Sequence, residues 1–203
     1  MKILFLGSPD SPLIQFLKKE GETVLVTEER INSGFVLENK IEFIISYGYT
    51  QMIRKDVLDL FDRRIINLHI SYLPWNKGSD PNFWSVIDQT PRGITIHFVD
   101  EGLDTGDILL QETVDFPDTE SLRSSYLILN QQIQALFMKH WHELKNNRIP
   151  SRQQTEKGTV HRVMEKETFI REIRDRFLDI PISELITHVS AEMKRSSNKP
   201  GKN

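Results

Sequence analysis

The order of the first elements limits the fold more than any other feature of the chain. Lys2–Gly7 (KILFLG) is a short apolar, β-prone run that reads as a buried strand. Gly7-Ser-Pro-Asp-Ser-Pro12 is a loop, Leu13–Glu20 carries a short helical pattern, and Glu22–Thr27 (ETVLVT) reads as a second strand. Strand, glycine turn, helix and strand in succession predict an α/β protein, a Rossmann-like doubly wound and mostly parallel sheet. The glycine turn carries Gly7 but no G-x-G-x-x-G. Pro9 and Pro12 also remove backbone N–H donors there, which argues against a nicotinamide cofactor and for a poor phosphate cradle.

Further β-prone runs follow. Ile41–Ser46 (IEFIIS), Ile65–Ile70, Gly93–Val99 (GITIHFV) and Ile108–Val114 (ILLQETV) read as strands. Glu28–Lys40 is polar and ambiguous, and a short helix runs up to Phe61. Asp80-Pro-Asn-Phe reads as a helix start, with Asp80 as N-cap, proline at N1, and Phe83, Trp84 and Ile87 facing the core. Thr119–Lys145 is the clearest helix, its apolar residues recurring every three or four positions from Leu122 to Leu144. His140 and His142 fall in its last turns, where cations suit the helix dipole. Beyond Pro150, Gly158–His161 reads as a short extended piece, and Glu167–Leu178 and Ile182–Met193 as helices. Ser196–Asn203 (SSNKPGKN) has the composition of a disordered end. The expected organisation is a catalytic domain over residues 1–150 and a short, mainly helical C-terminal appendage over 151–203.

Two polar residues, Asn67 and His69, interrupt the apolar run Ile65–Ile70. Their i, i+2 spacing puts both on one face of a strand. Such a pair is costly on a buried strand unless it has partners or a task. Asp104 follows in a turn-like Gly-Leu-Asp-Thr-Gly run. An amide donor, an imidazole and a carboxylate that orients or charges it can then converge. The Asn-Leu-His-x-Ser-x-Leu-Pro run, followed at a distance by Val-Asp-Glu-Gly-Leu-Asp-Thr-Gly-Asp, resembles the formyltransferases that use N10-formyltetrahydrofolate. The resemblance covers roughly residues 1 to 115 and implies the formyltransferase fold. It also implies that Asn67, His69 and Asp104 are the catalytic trio. It places Tyr49, Gln51, Met52 and Ile53, together with the loop Asp100, Glu101, Gly102 and Leu103, around the pterin of the folate co-substrate. Both loops are expected to leave the carboxyl edge of the sheet.

Pro74, Gly78 and Pro81 mark an irregular loop after the trio's strand. Trp75, Asn76, Lys77 and Asn82 in it are candidate substrate contacts, Lys77 toward a phosphate and Asn82 toward a sugar or diphosphate oxygen. His97 also lies on a strand, but no third ligand joins it and His69 at a metal-binding spacing. It reads as a packed residue, and no metal is expected.

Composition narrows the classes further. The chain has 203 residues, with 38% hydrophobic and 27% charged, as in an ordinary globular protein. It has no apolar run of about 18 residues and no signal-peptide pattern at its start, so no membrane association is expected. It contains no cysteine, which excludes disulfides, a cysteine nucleophile and cysteine metal sites, and is compatible with the cytoplasm. A net charge of -3 argues against a large electrostatic grip on nucleic acid.

The resemblance implies three classes of acceptor. Formylation of methionyl-tRNA is usually the work of longer chains with a C-terminal barrel. Glycinamide ribonucleotide formylation uses a glycine-rich phosphate loop after the first strand, where this chain has Ser-Pro-Asp-Ser-Pro. The third class formylates a nucleotide-linked (dTDP-type) 4-amino-4,6-dideoxy sugar, and its loop after the catalytic histidine resembles PWNKGSDPN. That class ranks first. A hydrolase that deformylates the folate and a non-catalytic folate-binding module are the readings from other classes, and a homodimer is left open.

Overall fold

The computed structural model describes residues 1–162 and 165–197. The elements run β1 (Lys2–Leu6), α1 (Pro12–Lys19), β2 (Thr23–Thr27), α2 (Ser33–Glu38), β3 (Phe43–Ser46), α3 (Lys55–Leu58) and β4 (Ile65–His69). They continue with β5 (Lys77–Gly78), α4 (Pro81–Ile87), β6 (Gly93–Phe98), β7 (Ile108–Thr113) and α5 (Leu122–Lys145). The chain then adds β8 (Val160–His161), α6 (Glu167–Ile170), a 3₁₀ turn at Arg171–Ile173 and α7 (Ile182–Ser197). Six strands form one sheet in the order β2-β1-β3-β4-β6-β7. The pairs from β2 to β4 are parallel, and β6 and β7 run antiparallel to their neighbours.

Strand alternation explains why both faces are dry. Ile3, Phe5, Phe43, Ile45, Ile66 and Leu68 point to one face, where α1 and α5 cover them with Leu13, Leu17, Phe137 and Trp141. Leu4, Leu6, Ile44 and Ile65 point to the other, against Val36 of α2 and Val57 of α3. Glu28–Lys40, ambiguous in the sequence, contains α2. Its N-cap is Asn32, whose side chain accepts a 2.9 Å bond from the Phe35 N–H.

Two sequence expectations change. α5 begins at Leu122 rather than Thr119, because Ser121 and Ser124 cap it reciprocally. Asp80 occupies the N-cap position of α4 but caps nothing. Its backbone is left-handed (φ 54°) and its carboxylate takes the Ser79 hydroxyl and the Lys166 ammonium instead. The tail beyond 150 is mainly helical, as expected, and it packs against the main core. Ile170, Ile173, Ile180, Ile182, Leu185 and Val189 are buried in the same cluster as β1 and α5. The expected disorder of Ser196–Asn203 lies, from residue 198 on, outside the described residues.

Candidate active site

Strand register builds the centre. Ser46 of β3 pairs with Asn67 of β4, Asn67 pairs with His97 of β6, and His69 pairs with Thr95. Paired residues point to the same face, so Asn67, His69, Thr95 and His97 share one side of the sheet. Because β6 is antiparallel, the loop after it leaves the edge opposite the carboxyl end of β4. The expectation that both loops leave the carboxyl edge fails for this one. The loop folds back across the sheet face, and that path brings Asp104 over Asn67 and His69.

The amide of Asn67 donates one hydrogen to Asp104 Oδ1 and one to His97 Nε2, each at 3.2 Å. His97 Nδ1 lies 2.7 Å from the carbonyl of Phe98, so Nδ1 carries the ring proton and Nε2 is the acceptor. His69 is likewise fixed, its Nε2 donating to the Asn76 carbonyl at 3.1 Å. Its Nδ1 then faces Asp104 Oδ2 across 3.7 Å, wider than a hydrogen bond. The same Oδ2 accepts a 2.8 Å bond from the Gly78 N–H. Burial alone would push the Asp104 carboxyl up. The imidazoles of His69 and His97 and the Gly78 N–H outweigh it and hold the group well below the usual carboxylate range. Asp104 itself has a left-handed backbone (φ 52°), a strained conformation for a residue with a side chain.

A cleft opens beside this centre. Ser46, Asn67, His97 and Asp104 form its polar floor, and Tyr49–Ile53 with Val99, Asp100, Gly102 and Leu103 its walls. Met52 and Leu103 are exposed at its rim, 51% and 40% respectively. An apolar rim over a polar floor fits a flat, hydrogen-bonding heterocycle on an apolar stem. Ile53 is buried in the core beneath. The polar tips of Tyr49 and Gln51 are turned away, to the Glu29 carbonyl and to Arg30, so these residues offer the cleft only their remaining surface. Asp100 shapes its loop by accepting from Gly102 N–H and Thr105. Glu101 does not line the cleft. It is exposed and paired with Lys55 at 2.8 Å, which corrects its expected place in the site.

The loop Trp75–Asn82 also differs from expectation. Asn76 is fully buried, and its amide is used within the protein, donating to Thr90 and accepting from Thr159. Its contribution to the centre is its carbonyl, on His69. Lys77 is buried, not a solvated charge, with its backbone N–H bonded to Thr159. Trp75 is half-buried, and neither it nor Lys77 lines a described cavity. Asn82 does line one, a cavity of about 340 Å³ whose wall includes Ile70, the residue after His69. Its amide nevertheless bonds inward, to Leu122 and Ser125. Pro81, Phe83, Tyr126, Arg123 and Lys166 complete much of that cavity, a mix of aromatic surface and cations. Among the described residues no group of carboxylates and imidazoles is arranged to hold a metal ion.

Sequence reasoning read His97 as a packed or lightly hydrogen-bonded residue and did not place it at the centre. The signal was present, since Thr95 and His97 repeat the i, i+2 polar spacing of Asn67 and His69 on a neighbouring strand. It also passed over Gln154 and Thr159, which reach the centre from more than 45 residues away.

An amide donor, two oriented imidazoles and an ionised carboxylate around one point, on the face of a doubly wound sheet, define a group-transfer enzyme acting through an oxyanion. The chain belongs to the formyl transferase family, whose sequence profile matches residues 10–139. Methionyl-tRNA formyltransferase of Clostridium perfringens is 34% identical over 149 residues, 73% of this chain and 45% of that enzyme. The chain thus spans about half the length of such relatives. Formyltransferase PseJ from Anoxybacillus kamchatkensis, solved with UDP-4,6-dideoxy-4-formamido-L-AltNAc and tetrahydrofolate, is 39% identical. That match covers 93% of this chain and 100% of PseJ, with a TM-score of 0.87. A 4-N formyltransferase from Francisella tularensis, at 21% identity and TM-score 0.74 over 83% of this chain and 78% of that one, shares the fold.

Proposed function

We propose that this chain transfers a formyl group from N10-formyltetrahydrofolate to the amine of a nucleotide-linked 4-amino-4,6-dideoxy sugar. The observation that carries the acceptor class is the match to the whole length of PseJ at 39% identity. The mild negative charge also offers no grip on a polyanion. The cavity beside Ile70 supports the same reading, its volume lying in the range of small-molecule sites.

The proposed roles follow from the hydrogen bonds. The cleft between Met52 and Leu103 takes the folate, presenting its formyl group above Asn67. As the amine attacks the formyl carbon, the carbonyl oxygen gains charge. Asn67 turns one of its two long amide bonds onto that oxygen, a contact worth about 2.7–4 kcal/mol in comparable sites. The amine must also lose a proton. Asp104 already accepts the Gly78 N–H on Oδ2 and an Asn67 N–H on Oδ1, which favour its ionised form. His69 Nδ1 has a lone pair and no donor, and takes the proton, and Asp104 Oδ2 opposite stabilises the imidazolium. The same proton then goes to the departing folate nitrogen as the carbon–nitrogen bond breaks.

A thermal-shift screen followed by a formyl-transfer assay tests this. The panel contains UDP- and dTDP-linked 4-amino-4,6-dideoxy sugars, glycinamide ribonucleotide and methionyl-tRNA. Stabilisation and turnover with an amino sugar nucleotide are expected, and the preferred nucleotide then decides between UDP and the dTDP type. Turnover with methionyl-tRNA alone would overturn the acceptor class. Folate deformylation without any amine would make the chain a hydrolase.

A further inference from the structure

We propose that Gln154 is a positioning residue for Asp104, and that the segment from Arg152 to His161 seats the reacting groups although it lies outside the family's matched residues 10–139. The inference rests on the roles proposed above for Asp104 and His69. The segment crosses both loops that face the centre. Gln154 Nε2 donates to the backbone carbonyls of Asp104 at 2.9 Å and Gly106 at 2.8 Å. These two bonds hold Asp104 in its left-handed conformation, which aims the carboxylate at Asn67 and His69. The other end of the Gln154 amide, Oε1, is buried without a partner. A buried orphan acceptor costs free energy, so the donor end is the part of this side chain that fits its surroundings.

The segment holds the facing loop too. Thr159 accepts the Asn76 N–H at 2.8 Å and its carbonyl accepts the Lys77 N–H at 3.0 Å. The His161 carbonyl accepts the Ser79 N–H at 3.0 Å. Residues 76–78 supply the carbonyl on His69 and the N–H on Asp104. One stretch of backbone therefore sets both sides of the 3.7 Å gap between His69 and Asp104. The approach is close enough to exclude side chains. A Cβ at Gly78 would lie 2.4 Å from the His161 carbonyl oxygen, and one at Gly158 would lie 1.9 Å from that of Pro74.

The test uses the full chain with Gln154→Met, which keeps the volume and removes the donors, and Gln154→Glu. The Gly78 amide proton, bonded to Asp104 Oδ2, reports the carboxylate's position by NMR without any assay. In Q154M that resonance should move upfield. The kcat for formyl transfer should fall about ten- to a hundredfold, as expected for a misplaced reacting group, while KM for the folate and the melting temperature stay near wild type. In Q154E the Gly78 resonance should be displaced at neutral pH and return as acid protonates the new carboxyl, which can then donate to the Asp104 carbonyl. An unmoved Gly78 resonance in Q154M, kcat within about twofold of wild type, or no return on acidification in Q154E would each overturn the proposal. If Q154M does not fold, the Q154E titration decides. If the wild type formylates no amine, the functional reading fails and the Gly78 resonance alone judges the positioning role.

Discussion

Two carboxylates of this protein sit in dry surroundings and are treated in opposite ways. Glu22, just before β2, is pinned between the N-terminal ammonium and Lys145, both at 2.7 Å. Asp104 has a single contact as short, the Gly78 N–H, and its side-chain neighbours stand off at 3.2 to 3.7 Å. Burial raises both groups, and the neighbouring charges and donors more than reverse it, so both are ionised at neutral pH. Glu22 is saturated by two full cations. Asp104 is held by an amide and two imidazoles, groups that can change partner or protonation state within one turnover. Tight pairing marks the carboxylate that ties α5 to the start of the sheet, and loose pairing marks the one we propose takes part in the reaction.

The sharpest way to break this comparison is to neutralise each group in turn. Asp104→Asn and His69→Asn should each lower formyl transfer by about a thousandfold or more with the fold intact, read as initial rates beside circular dichroism. Near wild-type turnover in either folded variant would remove it from the reacting groups. Asn67→Ala should cost about a hundred- to a thousandfold in kcat, the usual loss for an oxyanion donor, and an unchanged kcat would reassign the amide to structure. Glu22→Gln should leave kcat alone but lower stability at pH 7 by about 3 kcal/mol in denaturant titration, because Lys145 and the terminus lose a buried partner. The sign of its pH dependence is fixed. A depressed folded pKa gives stability that is fully present above the unfolded value of about 4 and is lost as pH falls below it. The gap between wild type and E22Q should therefore close in acid, and a gap that widens there would contradict the pairing. The smallest effect is expected at Glu101→Gln, which should keep kcat/KM within about twofold, since its carboxylate faces Lys55 on the surface. A large loss would return Glu101 to the cleft.

Much of this was legible from the chain because it depends on local pattern. The six sheet strands are short runs of β-branched and aromatic residues, and two polar residues on one such run marked the site. The antiparallel turn of β6 was not legible. Gly93–Val99 has the same apolar character as a parallel strand, and only its pairing partner fixes its direction. His97 was lost with it, because its role comes from standing opposite Asn67. Asn76 and Asn82 looked like substrate contacts because polar loop residues beside a reactive strand often are. Here their amides are consumed in fastening the loop to Thr90, Thr159, Leu122 and Ser125. Gln154 gave no signal at all, since a single glutamine in a polar segment has no periodicity to betray a long-range bond.

The register of β6 against β4 has a consequence for how preparations of this protein behave. Asn67 meets His97 because the register of the two strands sets these residues opposite each other. On the β7 side the pairing is irregular between Ile96 and His97, with Leu109 of β7 as the extra residue, while the pairing of β6 to β4 is regular. A slip of β6 against β4 by one position would present Ile96 in place of the imidazole, since adjacent residues point to opposite faces. Such a molecule would be silent, not sluggish. A sample containing such molecules would show fewer active sites by titration than protein molecules, with kcat per active site unchanged.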